Sequence, residues 1–173
     1  MSNKATSSYK PAIENKRVEA AVTREIKASP GRIFPLACPV EELRWIPQWS
    51  YHLIYSQSGV NETNCIFNEE ISGPHIFEKP LTTTWVTTIH DPDNYRISFL
   101  LNLAGKAVIR LNIRFQEVGR KVSSCTWHMI FTALDEESNA MPDDMIQVKL
   151  ESVVTFLADA LKHYCEAGEI LQI

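Results

Sequence analysis

The sequence predicts an α+β fold: a seven-stranded, curved antiparallel sheet wrapped around one long C-terminal helix, with two short helices between the first and second strands. Three observations carry the prediction. Seven segments between Arg17 and Leu134 have the apolar alternation, or the β-branched and aromatic content, of strands. The last six follow one another closely, most across short turns, as antiparallel neighbours do. After them comes a single long segment with apolar residues every three or four positions, and a sheet with one apolar face needs such a cover.

Residues 1–16 are polar and aperiodic and are expected to form a flexible tail, leaving 17–173 as a single domain. From Arg17 to Lys27, Val18, Ala20, Val22 and Ile26 alternate with Glu19, Thr23, Glu25 and Lys27, as in a half-buried strand. Ser29-Pro30 sets an N-cap before a proline at the first helical position. The short helix that follows runs through Phe34 and is limited by Pro35 and Pro39. A second runs from Val40 to about Trp45 and stops near Pro47. Further strands are expected at 51–55, 65–71, 82–90, 95–103, 106–117 and 122–134. Turns fall at Ser58-Gly59, Asp91-Pro92-Asp93-Asn94, Ala104-Gly105 and Gly119, with a longer connection holding Gly73-Pro74. Asp135 to Ala140 reads as a polar loop. Pro142-Asp143-Asp144 opens the long helix with acidic residues at its positive dipole end, and Gly168 ends it. Ile146, Lys149, Leu150, Val153, Leu157, Leu161 and Tyr164 share one face of that helix.

The chain has 173 residues, 45% hydrophobic and 22% charged, enough to bury a core without a metal or disulfide. A net charge of −4 argues against a broad nucleic-acid surface. No apolar run reaches the length of a membrane span, so no integral membrane association is expected. Cys38, Cys65, Cys125 and Cys165 have no metal-knuckle spacing and read as small buried hydrophobes. With a polar start that is no secretory signal, this points to a reducing cytoplasm. Asn61-Glu62-Thr63 is a formal glycosylation sequon that reads as a turn. The five histidines show no metal-site spacing, and no nucleophile or phosphate-loop motif is present, so no metal and no cofactor are expected.

The order of elements resembles the SRPBCC superfamily, the START-related, helix-grip or polyketide cyclase/dehydrase-like proteins. Ser29-Pro30-Gly31-Arg32-Ile33-Phe34 is similar to that superfamily's opening after the first strand. Cys38-Pro39-Val40-Glu41-Glu42-Leu43-Arg44-Trp45-Ile46-Pro47-Gln48-Trp49 resembles the CPVxExxWIPGW stretch of a bacterial subgroup, with Gln48 in place of its Gly. Thr83-Thr84-Trp85-Val86-Thr87 resembles that subgroup's TTWVVT strand. The resemblance covers about residues 17 to 171. It implies a helix-grip fold with an apolar ligand between sheet and helix. Some members of the superfamily catalyse cyclisation or dehydration; many only bind or carry ligands.

Alternation alone turns the more apolar face of each strand inward. That face carries Tyr51, Leu53 and Tyr55; Cys65, Phe67 and Glu69; Thr83, Trp85, Thr87 and Ile89; Tyr95, Ile97, Phe99 and Leu101; Ile109, Leu111, Ile113 and Phe115; and Cys125, Trp127, Met129 and Phe131. These residues either fill a solid core or line a pocket. The polar tips of Tyr51, Tyr55, Tyr95, Trp85 and Trp127, with the hydroxyls of Thr83 and Thr87, suit a pocket better. The candidate ligand-binding set is Trp49, Tyr51, Tyr55, Phe67, Glu69, Trp85, Thr87, Tyr95, Phe99, Trp127, Met129 and Leu157.

Glu69 is the candidate catalytic or anchoring acid. In register it faces inward, with Arg24 as a candidate partner; near a strand end, or after a one-residue bulge, it reaches solvent instead. Glu41 and Glu42 on the second short helix read as solvated, Trp45 and Trp49 as pinning that segment to the sheet edge, and His52, His90 and His128 as facing out. Three functions compete. The first is binding of a small hydrophobic or amphipathic molecule, which an acid-free apolar cavity favours. The second is a cyclase/dehydratase-like enzyme, which a buried Glu69 bonded to a Tyr favours. The third is a protein-interaction or stress-related module, which a filled core with an exposed apolar patch favours. A homodimer is compatible with the sequence.

Overall fold

The strands form one antiparallel sheet. In chain order the elements are β1 (Arg17–Ile26), α1 (Pro30–Ile33), a 3-10 turn (Phe34–Leu36), α2 (Pro39–Glu42), β2 (Tyr51–Tyr55), β3 (Ile66–Glu69), β4 (Thr83–Asp91), β5 (Arg96–Leu103), β6 (Ala107–Gly119), β7 (Val122–Ala133), α3 (Glu136–Ala140) and α4 (Asp143–Ala167). The computed structural model describes residues 15–69, 76–77, 79 and 81–172. Most of the expected tail, the expected β3 end at Glu70 and Ile71, and Gly73-Pro74 lie outside these residues.

The spatial order is β1-β7-β6-β5-β4-β3-β2, so the first strand pairs with the last and β2 lies at the far edge. Alternation works best in the centre of the sheet. Along β7 every second residue from Ser123 to Ala133 is buried, and in β6 every second residue from Ala107 to Phe115. The β5–β6 hairpin turns on Ala104 (φ 49°) and Gly105 (φ 76°), the paired left-handed residues of a type I′ turn.

The α4 helix lies against β1 and β7 and buries Ile146, Leu150, Val154, Ala158, Leu161 and Cys165, a stripe at three- and four-residue spacing. Gly168, at φ 79°, closes the helix with its N–H on the Tyr164 carbonyl at 2.9 Å. Arg24 reaches across from β1 and grips Asp159 with two hydrogen bonds, Nε to Oδ1 at 2.6 Å and Nη2 to Oδ2 at 3.3 Å. Arg24 is therefore a clamp between sheet and helix, not the partner of Glu69.

Departures from the sequence reading have local causes. The expected loop 135–140 contains α3, because the Asp135 carboxylate accepts the Ser138 N–H at 2.7 Å and caps a helical turn. The second short helix ends at Glu42, although turns carry its path on through Ile46, whose N–H reaches the Glu42 carbonyl at 2.9 Å. A register shift between Leu53 and Tyr55 breaks the β2 alternation, leaving Tyr55 54% exposed. A second, between Thr87 and Ile89, turns Ile89 out, and His90 is half-buried against Phe34 at 5.1 Å between ring centroids. Tyr95 precedes β5 at φ 51°, and its ring packs edge-on against Phe34 rather than following the strand's inward face. All four cysteines are buried and free. Asn61 of the sequon is 5% exposed, accepting from the Thr87 hydroxyl at 2.6 Å.

Candidate binding site

Between the sheet's concave face and α4 lies a cavity of about 180 Å³. Its floor is Leu101, Ile109, Leu111 and Met129 of the central strands, and α4 supplies Val153, Phe156 and Leu157. The segment after α2 supplies Ile46 and Trp49, while Ile76, Phe77 and Leu81 close another side. These three half-buried residues of α4 face the cavity, and the buried stripe beside them holds the helix to β1 and β7.

Three tryptophans shape the walls. Trp85 stacks on Phe67 (5.5 Å between centroids, 19° between planes) and meets Phe99 and Trp49 edge-on. The Trp49 indole N–H is held by the Pro39 carbonyl at 2.9 Å, which fixes α2 to the segment that follows it. Trp127 is 1% exposed, and its Nε1 makes no hydrogen bond of acceptable geometry among the described residues. Its indole still acts on the neighbouring Cys125 sulfur: burial pushes that thiol up to about 12, and the indole N–H opposes the rise. Trp45 does not line the cavity. It is fully buried, with its N–H on the Leu36 carbonyl at 2.9 Å and its ring edge-on to Trp127. The pair thus pins the α2 segment into the interior, not onto the sheet edge.

Two carboxyls face this apolar space. Glu69, half-buried on β3, accepts the Trp85 indole N–H at 2.5 Å. Burial raises its pKa to about 7, against the pull of that hydrogen bond. Glu42, which the sequence predicts to be solvated, is 7% exposed and lines the cavity. Its carboxyl has no hydrogen-bond or ion-pair partner among the described residues. Burial, reinforced by the Glu69 charge, raises its pKa to about 8. The nearest cation in sequence, Arg44, is committed to Glu41 at 2.6 Å and lies over the Tyr164 ring. The signal that could have found Glu42 is its spacing: Trp45, Ile46 and Trp49 lie three, four and seven residues on, sharing one helical face with it.

Of the twelve candidate residues, Trp49, Glu69, Trp85, Trp127, Met129 and Leu157 line the cavity. Phe67 and Phe99 are buried behind Trp85, and Thr87 is buried against Asn61. Tyr51, opposite Glu69 on the edge strand, packs edge-on against Phe67. Tyr55 is at the surface, and Tyr95 belongs to the Phe34 cluster. No tyrosine hydroxyl meets Glu69 among the described residues; an indole takes that place. Among these residues no three His, Cys, Asp or Glu side chains converge as a metal would require. None of the described helices is long and apolar enough to cross a membrane.

No protein-family model matches the chain, and no curated protein matches it in sequence. Solved structures match it in shape. A norcoclaurine synthase point mutant from Thalictrum flavum, bound to a transition-state analogue, superposes with a TM-score of 0.67 at 12% identity, over 90% of this chain and 98% of that one. A START superfamily protein from Mycobacterium smegmatis gives 0.64 at 15% identity, over 86% and 97%. Zhui aromatase/cyclase from a Streptomyces species gives 0.60 at 13% identity, over 90% and 99%. The chain therefore has the helix-grip fold of SRPBCC-type proteins. At these identities the likeness is one of fold.

Proposed function

We propose that this protein binds a small hydrophobic or amphipathic molecule between the concave face of the sheet and α4. The observation that carries the reading is the cavity itself: apolar side chains and three indole rings surround a space that no side chain of the described residues fills. A solid core built from the same elements would bring α4 down onto Leu111 and Met129, and voids larger than a water are few in ordinary interiors. The four unpaired cysteines fit a reducing compartment such as the cytoplasm. Naphthol, a small neutral fluorophore, tests the reading. It is expected to bind one-to-one and saturably, and Leu157→Trp, which fills the cavity from α4, is expected to abolish binding while the fold survives. Non-saturable binding, or binding that Leu157→Trp leaves untouched, overturns the proposal.

One observation favours a second reading, acid–base chemistry in the same space. Glu42, with no partner among the described residues, and Glu69, held by an indole N–H, are two acids in different surroundings, the arrangement from which proton donor and acceptor roles arise. In that case Glu42→Gln and Glu69→Gln each abolish turnover of a bound substrate without weakening its binding. Turnover that survives both substitutions removes this reading and leaves the binding one.

A further inference from the structure

The two acids are unusual for an apolar container. A carboxyl with under a tenth of its surface exposed is expected to be paired, since leaving it unpaired is costly. Glu42 is 7% exposed, sits in the cavity wall and has no partner among the described residues. Glu69 faces the same space, and the Trp85 indole fixes one of its oxygens while bringing no charge. The same cavity is lined by the indoles of Trp49, Trp85 and Trp127. Aromatic faces attract cations, most strongly where water is excluded. Paired acids and indole walls are together complementary to one kind of group, an ammonium.

Resting on the binding role proposed above, we propose that the Glu42–Glu69 pair makes this cavity a receptor for an organic amine, an ammonium group carried on an apolar body. The ammonium supplies the counter-charge that no described residue provides, and the apolar body fills the space over Leu111 and Met129. The other charged and titratable groups around the pair do not take that role. Lys79 lines the cavity but is exposed and has no ion pair among the described residues. Lys149 on α4 donates to the Ile76 carbonyl at 2.8 Å. Tyr51, opposite Glu69 on β2, packs edge-on against Phe67. Binding a cation favours the ionised acids, so it releases protons and strengthens as they ionise.

The test uses a charge series on one body: phenethylamine (cation), phenethyl alcohol (neutral) and phenylacetate (anion), titrated calorimetrically against the full chain. Above the Glu42 value of about 8 the amine is expected to bind at least ~10-fold tighter than the alcohol. The preference shrinks toward the unperturbed value of 4.5, and proton release appears in buffers of different ionisation enthalpy. In the double variant Glu42→Gln/Glu69→Gln the amine loses its preference over the alcohol. Equal binding of amine and alcohol, or a preference for phenylacetate, overturns the inference and leaves the apolar container standing. Failure of all three probes to bind a folded protein overturns both. Should the double variant not fold, the proton count on the unmodified protein decides alone: no release on amine binding contradicts the proposal.

Discussion

Ionising Glu42 should be the dominant alkaline liability of this fold. Its carboxyl is 7% exposed, has no partner among the described residues, and is pushed by burial up to about 8 from 4.5. The sign follows from proton counting. Between those two values the native state holds a proton that the unfolded state has released, so stability falls as pH rises and is fully present only below 4.5. At ~1.36 kcal/mol per pH unit, the full fall is ~4–5 kcal/mol, a large share of the ~5–15 kcal/mol that holds a typical domain together. Glu42→Gln removes the titrating proton and keeps the side chain's shape. The amide brings an N–H that also lacks a partner among the described residues, at a pH-independent cost of ~1–3 kcal/mol. The slope is the readout. Urea midpoints measured from acid to alkaline pH, at constant m, should fall steeply for the unmodified chain and much less for the variant. Parallel profiles would refute the burial of an unpaired acid at position 42.

Other predictions follow from single contacts. Trp85→Phe deletes the indole N–H that favours the Glu69 carboxylate, so Glu69 should titrate above about 7 in carboxyl carbon NMR; a lower value contradicts the assigned hydrogen bond. Asp159→Asn weakens a partly exposed clamp and should cost no more than ~1 kcal/mol in chemical denaturation, with ligand affinity unchanged; a change in affinity would return Arg24 to the site. Ala104 sits at φ 49°, so Ala104→Gly should raise thermal stability by the equivalent of up to ~1 kcal/mol, the relief of a left-handed non-glycine less the entropy glycine adds to the unfolded chain; a clear loss would contradict that turn. Leu161→Ala should cost ~2–5 kcal/mol, since this residue is fully buried in the stripe joining α4 to the sheet; a loss under ~1 kcal/mol would question that packing.

The sheet was legible because its centre obeys one rule. Where a strand has neighbours on both sides, as β6 and β7 do, the two-residue period decides which side chains turn inward. The rule failed at edges and ends. Tyr55 lies on the outermost strand past a bulge, and Tyr95 sits in a left-handed turn; alternation carries no information about either deviation. Glu42 escaped for another reason. A glutamate on a short helix is solvated by default, and only its spacing from Trp45, Ile46 and Trp49 contradicts that default. Asp135 shows the same limit on a small scale, since one capping carboxylate is enough to make a polar loop helical.

A ligand site between sheet and helix has a built-in control in the four indoles. Trp49, Trp85 and Trp127 line the cavity, while Trp45 is sealed behind Trp127 with its N–H on a backbone carbonyl. The direct measurement is a proton–nitrogen NMR titration of the indole N–H signals with naphthol. The cavity predicts large, saturable shifts for Trp49, Trp85 and Trp127 and a small one for Trp45; equal shifts at all four, or none at the three lining rings, would contradict it.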